Sequence, residues 1–285
     1  MADESTSTIL SALSTLPHPL LSSLLDSVVS DTRHRHSRIS SLLSSPPLFS
    51  LTLLRLLSLS LPDKSRLSSL LLVSSLHCLT LPFARDGNAH EHCIVELPHC
   101  PHFPRMMPGD EDAVLLLFLL CDLQHRRPQA LQEASPSDWQ RILKDLCYDT
   151  MVSLCGVSSL RGSALVPYIE TAVRCHQFVS SMPCPAQGEE EEVAASASTV
   201  KRLPWVEVGE GGRECTVCCE EMKGGRQACE LPCGHMFHWT CIMPWLSKRN
   251  TCPSCRHELP TDDISGEIRR LWNVLMRRGQ LAHVA

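Results

Sequence analysis

Three features that the sequence lacks narrow its interpretation. The formal net charge of -5 leaves no basic excess, which disfavours nucleic acid as a partner. The apolar runs are short, because Ala113–Cys121 spans nine residues and Arg55 interrupts Leu48–Leu61. Both fall below the roughly 20 residues that a membrane-spanning helix needs, so we expect buried helices instead. Alternating β-branched residues, which are typical of strands, are scarce, and this favours a mainly α chain.

Cysteine, by contrast, is abundant. Six of the 16 cysteines belong to one ordered pattern, and no secretory signal precedes them. Eight others are scattered without paired spacing, so we expect reduced thiols in a reducing compartment. These eight are Cys78, Cys93, Cys100, Cys121, Cys147, Cys155, Cys175 and Cys184.

The ordered pattern consists of candidate metal ligands in close pairs. They are Cys215, Cys218, Cys233, His235, His238, Cys241, Cys252 and Cys255. A gap of two residues between cysteines allows one tight turn to direct both sulfurs at a single ion. Structural zinc takes four Cys or His ligands and keeps no open position, so this pattern predicts two closed zinc sites. A disulfide cluster is the alternative, and the histidines at ligand spacing argue against it.

The segment that carries the ligands is too small to fold by burial alone. It spans about 45 residues, a size at which a metal or disulfides usually supply the missing stability. Its apolar residues are few: Val217, Leu231, Met236, Phe237, Trp239, Ile242, Met243, Trp245 and Leu246. We therefore expect zinc binding to provide folding free energy, and a chelator to unfold the segment.

The ligand pattern resembles a RING domain of the two-histidine type (RING-H2), the ubiquitin-ligase module. The resemblance implies a small cross-braced α+β fold in which the ligand pairs alternate between two structural zinc ions. It implies Cys215, Cys218, His238 and Cys241 at the first ion, and Cys233, His235, Cys252 and Cys255 at the second. Cys219 competes with Cys218 for the first site, and the two-residue spacing favours Cys218. Cys219 and Cys229 then remain as core or surface residues rather than nucleophiles.

Three more positions match the family's surface for a ubiquitin-conjugating enzyme: Val217, Trp245 and Pro253. The resemblance implies a shallow apolar groove with one Trp anchor, an arrangement typical of binding hot spots. The alternative for Trp245 is a core position in the short helix after Cys241. Arg256 follows the last ligand, where the resemblance implies a bridge between the conjugating enzyme and its ubiquitin, because a guanidinium can bond to two partners. A solvated surface Arg is the alternative there.

The activity implied by the resemblance is that of a RING-type E3 ubiquitin ligase. Its partners are a conjugating enzyme, ubiquitin and a protein substrate. Closed zinc sites cannot activate water, and nothing in the sequence marks a cysteine that would receive ubiquitin. We expect catalysis by orientation of the conjugating enzyme's ubiquitin thioester, with no covalent intermediate on this chain. The alternative is a non-catalytic zinc adaptor that uses the RING only as an interaction surface.

Residues 1–182 are predicted to form a mainly α N-terminal domain that selects substrate or location. Apolar residues recur there at helical spacing, as in Leu21, Leu24, Leu25 and Val28. Ser137 and Gln140 have the spacing of a helix-capping box. Between these helices, residues 90–102 carry His90, His92, Cys93, His99, Cys100 and His102. A third metal site is one interpretation, but the ligands lack paired tetrahedral spacing, which favours a solvated loop.

Residues 183–212 are predicted to form a flexible acidic linker, because they combine prolines with the acidic run Glu189–Glu192. The RING then covers residues 213–257. Residues 258–285 are predicted to form an amphipathic C-terminal helix whose apolar face holds Ile264, Ile268, Leu271 and Leu275. We expect this helix to pack on the RING, with dimerisation and contact with a membrane or partner as alternatives.

Three segments extend the resemblance beyond the zinc pattern: Leu48–Leu53, Pro167–Thr171 and Leu259–Asp263. They are similar to plant RING ligases linked to shoot gravitropism and to amyloplasts. The resemblance implies a cytosol-facing location at the plastid surface, with a peripheral organelle or membrane contact. A plastid import peptide is the alternative, because the N-terminus is rich in Ser, Thr and Leu. Asp3 and Glu4 argue against it, since such peptides are poor in acidic residues.

Overall fold

The computed structural model of the protein describes residues 2–85, 106–129, 134–155, 165–182, 192–209, 213–222 and 227–282. The chain divides into two compact units. The helical unit comprises residues 1–82, 105–182 and 275–285, and the smaller unit comprises residues 83–104 and 183–274. The histidine- and cysteine-rich loop predicted at residues 90–102 lies outside the described residues.

The helical unit confirms the mainly α N-terminal half. Its helices are α1 (Ala2–Ser14), α2 (His18–Ser44), α3 (Pro46–Ser58), α4 (Leu61–Arg85), α5 (Pro108–Arg126), α6 (Pro136–Cys155) and α7 (Leu165–Ser181). Prolines occupy the first turn of α2, α3 and α5, where a missing N–H costs no hydrogen bond. α2 contacts α3, α5, α6 and α7, and α1 packs on α7.

The start of α6 differs from the predicted capping box. The helix begins at Pro136, and the preceding Ser135 takes the capping role that the sequence assigned to Ser137. The Ser135 hydroxyl bonds to the Asp138 carboxylate at 2.6 Å, and the Asp138 N–H donates to the Ser135 carbonyl at 2.8 Å. Proline at the first helical position fixes this earlier start. Gln140 instead donates to the carbonyl of Leu43 at 2.9 Å, which joins α6 to α2.

α4 contains a long apolar stretch, contrary to the expectation that the apolar runs are short. Leu61–Phe83 is 23 residues long and apolar enough, by length and composition, to cross a membrane. This stretch is not evident as an apolar run in the sequence because serines separate the leucines. Within the protein, 72% of its most apolar window is buried, and Leu72, Leu76 and Leu79 are fully inaccessible to solvent. This burial favours a core helix, since such a helix passes the same test of length and composition.

The N-terminal helix α1 is part of the core. Ile9, Ala12 and Leu13 are almost completely buried, and Leu16 follows them into the interior. These side chains form part of the apolar interior of the helical unit.

A polar network joins three helices of the helical unit. The hydroxyl of the buried Tyr168 donates to Asp31 at 2.7 Å, and burial raises the pKa of Tyr168, which keeps the donor protonated. Arg35 pairs with the same Asp31 oxygen at 2.7 Å and donates to Ser75 at 2.9 Å. The guanidinium of Arg35 also lies 5.3 Å from the centre of the Tyr168 ring. The network thus connects α2, α4 and α7 by groups far apart in the sequence.

Replacing this phenol tests the network. Tyr168→Phe removes the donor to Asp31 and leaves a partly buried carboxylate with one bond fewer, so we expect a loss of about 1–2 kcal/mol in the free energy of unfolding. Chemical denaturation followed by the helical circular dichroism signal measures it. Val166→Ala, at a partly exposed position of the same helix, is the control and should change the midpoint little. An unchanged midpoint for Tyr168→Phe would show that the network is not stabilising.

Among the described residues, the smaller unit combines short strands with two helices and the first part of a third, α10, whose residues from Leu275 onward belong to the helical unit. Its elements are α8 (Ala197–Lys201), β1 (Trp205–Glu207), β2 (Arg213–Cys215), β3 (Glu220–Met222), β4 (Gln227–Glu230), β5 (Met236–Phe237), α9 (Trp239–Leu246) and α10 (Ile264–Ala282). One antiparallel sheet has the order β1–β4–β5, and β2 pairs with β3 in a second. The small α+β fold predicted around the ligands is confirmed.

Part of the predicted linker is ordered and packed. Residues 192–209 form α8 and β1, and β1 adds a strand to β4 with Val206 opposite Ala228. Leu203 and Val208 are buried in the same core as the ligand-bearing segment. The Ala195 N–H donates to the carbonyl of Leu246 at 2.9 Å. A flexible linker is thus wrong for residues 192–209, because alternating apolar residues after the acidic run complete a sheet.

The C-terminal helix begins where the sequence predicts. Asp263 accepts a hydrogen bond from the Gly266 N–H at 2.5 Å, which caps the first turn of α10. A Cβ at Gly266 would lie 3.2 Å from side-chain atoms of Val193 and Thr261, so the helix start packs closely on the smaller unit. Glu267 is almost fully buried, and Arg270 pairs with it. Arg270 therefore belongs to this packed surface.

Candidate metal centre

The first ligand cluster is assembled from two turns that are distant in sequence. Cys215 ends β2 and Cys218 lies in the turn after it, while His238 precedes α9 and Cys241 lies in its first turn. The four ligand atoms all lie within 4.8 Å of one another. The fold therefore brings together the set that the RING resemblance implies for one ion.

The second cluster is assembled in the same way. Cys233 and His235 lie between β4 and β5, and Cys252 and Cys255 lie in the turn after α9. Their ligand atoms also fall within 4.8 Å of one another. Along the chain, the pairs alternate between the two clusters. Each cluster therefore ties together segments that the other separates.

The distances within the clusters fit zinc. The Nδ1 atom of His238 lies 3.4 Å from the Cys218 sulfur and 3.9 Å from the Cys241 sulfur. The Nδ1 atom of His235 lies 3.4 Å from the Cys233 sulfur. A tetrahedral ion with ordinary Zn–N and Zn–S bonds places such atoms about 3.6 Å apart. Nitrogen and sulfur donors without carboxylates also select zinc over calcium or magnesium.

The two C-x2-C turns share one backbone conformation. The N–H of Cys219 donates to the carbonyl of Cys215 at 2.7 Å, and the N–H of Arg256 donates to the carbonyl of Cys252 at 2.9 Å. Cys219 and Arg256, which each follow the second cysteine of a C-x2-C turn, both have a positive φ of 58°. Gly234, with a φ of 78°, makes the corresponding turn between Cys233 and His235, where a residue without Cβ avoids strain.

Backbone donors and sulfur crowding prepare the ligands for a cation. Burial raises the pKa of the Cys215 thiol, but backbone N–H groups of His238, Cys218 and Val217 outweigh it and lower that pKa to about 7. Burial and the neighbouring sulfurs raise the pKa of Cys233 to about 12 against a backbone N–H from His235. A divalent cation would offset the rise in the pKa of Cys233, because it stabilises neighbouring thiolates that otherwise repel one another.

The spare cysteines lie outside both clusters. Cys219 is exposed and is not grouped with the first four ligands. Cys229 is fully buried beside Phe237 and Leu231 in the core, and burial raises its pKa to about 11. The preference for Cys218 over Cys219 and the core position of Cys229 therefore match the geometry.

The turns that carry the ligands also form a small surface. Val217 lies in the first C-x2-C turn with 38% of its area exposed, and Pro253 lies half-buried in the other. The hydroxyls of Thr216 and Ser254 are 3.0 Å apart and join the two turns directly. This exposed hydrogen bond joins the residue before Val217 to the residue after Pro253. No pattern in the sequence indicated this bond.

Trp245 is both packed against the core around α9 and partly exposed, so its position is compatible with either interpretation. The indole N–H donates to the carbonyl of Thr251 at 2.6 Å. The guanidinium of Arg249 lies 4.9 Å from the ring centre, which is within the range of a cation–π contact. Arg249 was not singled out from the sequence, although its position one helical turn after Trp245 was an available signal.

Comparison with known proteins agrees with this geometry. Residues 213–256 match the family model of the Ring finger domain. The chain is 43% identical over 298 aligned positions, covering 100% of both chains, to the Arabidopsis thaliana protein named E3 ubiquitin-protein ligase SGR9, amyloplastic. E3 ubiquitin-protein ligase RNF181 of Mus musculus is 47% identical over 75 residues, which are 26% of this chain and 46% of that one. E3 ubiquitin-protein ligase RING1 of Gossypium hirsutum is 41% identical over 80 residues, which are 26% of this chain and 24% of that one.

The ligand assignment is tested by two cysteine substitutions. Cys233→Ser removes one donor from the second cluster, so we expect zinc content to fall below two ions per chain and the smaller unit to become protease-sensitive. Cys219→Ser changes a cysteine next to a ligand but outside both clusters, and should keep both ions. Zinc per chain after gel filtration measures both effects. Full zinc in Cys233→Ser, or zinc loss in Cys219→Ser, would contradict the assignment.

Proposed function

The chain belongs to the RING-type E3 ubiquitin ligases, and on that basis we propose how its surface promotes ubiquitin transfer. Val217, Trp245 and Pro253 bind the ubiquitin-conjugating enzyme, and Arg256 contacts both that enzyme and its ubiquitin. Two structural zinc ions hold the turns that present these residues. The observation that carries the proposal is the Thr216–Ser254 bond at 3.0 Å, which couples the two contact turns.

The proposed groove has the composition of a weak, specific interface. A partly exposed Val and Pro flank a Trp, the residue type most enriched among binding hot spots. The indole is fixed at its N–H edge by Thr251, so little conformational entropy is lost when a partner binds. The exposed part of the Trp245 ring is the main contact that this groove offers to the conjugating enzyme.

Arg256 is placed by the zinc-binding turn itself. Its N–H bond to Cys252 and its positive φ fix the backbone at the root of the side chain, and the residue is exposed. A guanidinium has five N–H donors in a rigid fork, enough to serve two proteins at once. Bridging by Arg256 would restrict the motion of ubiquitin relative to the conjugating enzyme.

Transfer then proceeds by orientation. The conjugating enzyme carries ubiquitin as a thioester, and the RING surface holds it where a substrate lysine can attack, so no bond to this chain forms. Cys147 and Cys175 do not suit a covalent alternative, because burial raises the pKa of Cys147 to about 11 and that of Cys175 to about 12. Protonated thiols are poor nucleophiles.

Substitution of the anchor tests this mechanism. Trp245→Ala should keep two zinc ions and weaken binding of the conjugating enzyme by at least about tenfold, the loss expected of a hot-spot residue. Binding is measured by titration calorimetry, and transfer by ubiquitin discharge with purified activating and conjugating enzymes. Trp205→Ala is the control, because Trp205 is an exposed Trp stacked on Trp239 at 4.4 Å and outside the groove. Unaltered affinity for Trp245→Ala would remove the groove from the mechanism.

We further propose that the helical unit holds the ligase at the cytosolic face of a plastid. The support is the whole-length similarity to a relative named amyloplastic, together with a row of exposed leucines in the helical unit. Leu51, Leu54 and Leu57 on α3 and Leu61 at the start of α4 are 65%, 64%, 66% and 53% exposed. A row that offers only aliphatic carbon suits the hydrocarbon boundary of an organelle membrane.

The leucine row gives this location a direct test. The double variant Leu54→Ser, Leu57→Ser should lose most of its plastid association while keeping its helical signal and ubiquitin transfer, because these side chains are not in the core. Imaging of the tagged full chain and flotation with galactolipid vesicles measure association. Leu281→Ser removes an equally exposed leucine, 68% accessible, from α10 and should stay associated. Plastid association retained by the double variant would exclude the row as the anchor.

A further inference from the structure

We propose that Glu192 and Arg249 form a positioning pair for Trp245, through which the segment before the RING sets affinity for the conjugating enzyme. The inference rests on the proposed role of Trp245. It gives a function to residues that lie ahead of the segment matched by the RING family, residues 213–256. It also gives a function to the last glutamate of the acidic run.

The pair begins with a cation on an aromatic face. The Arg249 guanidinium lies 4.9 Å from the centre of the Trp245 ring. A flexible, exposed arginine would leave this position often, because its side chain has many rotamers. Glu192 restrains it, since the Arg249 Nε donates to the Glu192 carboxylate at 2.7 Å and a second guanidinium nitrogen donates to the same oxygen.

Glu192 is itself held in place by the backbone after it. The Ala195 N–H donates to the carbonyl of Leu246, next to Trp245, at 2.9 Å. The Ser196 N–H donates to the carbonyl of Pro260 at 2.8 Å. These bonds fix the chain three and four residues after Glu192. The carboxylate is therefore delivered to Arg249 from a packed segment.

Together these contacts restrain Trp245 from two directions. Thr251 holds the N–H edge of the indole at 2.6 Å, and Arg249 covers one face. What stays available to a partner is the rest of the ring, in one fixed orientation. Preorganisation of this kind improves affinity by reducing the entropy lost on binding. It should therefore change binding of the conjugating enzyme and leave the chemical step alone.

The electrostatics agree with a positioning role. The bond from Arg249 lowers the pKa of Glu192, so the carboxylate is ionised at neutral pH. Both side chains are about half exposed, and exposed ion pairs add little to folding stability. Loss of the pair should consequently leave the fold and the zinc ions unchanged.

The experiment compares matched glutamate variants of the full-length, zinc-loaded chain. Glu192→Gln removes the charge that holds Arg249, and Glu207→Gln removes the charge of another exposed glutamate, on β1, as the control. We expect about twofold to fivefold weaker binding of the conjugating enzyme for Glu192→Gln, the range of an exposed cation–π contact. The KM of ubiquitin discharge for the charged conjugating enzyme should rise by the same factor while kcat is unchanged. Glu207→Gln should match the unaltered protein.

Two companion variants separate the possible failures. Arg249→Ala should weaken binding at least as much as Glu192→Gln, and adding Glu192→Gln to it should have no further effect. Normal affinity in Glu192→Gln beside weak binding in Trp245→Ala would overturn the pair and leave the groove standing. Normal affinity in Trp245→Ala would remove the groove as well. A change in kcat with KM unaltered in Glu192→Gln would also overturn positioning.

Discussion

Metal coordination is the interaction on which the smaller unit depends. Its buried apolar residues are few, and two of its fully buried side chains, Cys215 and Cys252, are themselves metal ligands. Because the ligand pairs alternate between two sites, neither ion can hold the fold alone. Zinc thus supplies the cross-links that a larger core would supply in a longer domain. The dense Cys and His spacing in the sequence is a consequence of that requirement.

The same coordination positions residues of the proposed binding surface. A C-x2-C turn must expose its intervening residues while its sulfurs face the ion, and Val217 and Pro253 occupy such positions. Arg256 follows the last ligand in the left-handed conformation that the turn imposes. The turns that hold the metal ligands therefore also present the residues proposed to contact the conjugating enzyme. A change that disturbs a ligand displaces the surface with it, whereas a change at a contact side chain leaves the ligands intact.

Features that depend on local spacing could be predicted from the sequence. Features that depend on long-range packing could not. The ligand set, the start of α10 at Asp263 and the helical character of the N-terminal half each depend on residues a few positions apart. The pairing between clusters came from resemblance, because spacing alone does not reveal which turns meet. The strand β1 and the contact of Arg249 with Trp245 depend on partners that only the fold supplies. The long apolar stretch of α4 was missed for a different reason, because serines separate its leucines, whereas its burial agrees with the expectation of buried helices.

The two units are stabilised by different interactions, so they respond differently to the loss of zinc. The helical unit has a leucine-rich core and a network of Tyr168, Asp31 and Arg35, none of which needs a metal. The smaller unit needs zinc for its fold and consequently for ubiquitin transfer. Loss of zinc therefore ends transfer without removing the contacts that fold the helical half. Since the proposed organelle contact lies on that half, a zinc-depleted chain would keep its location and lose its activity.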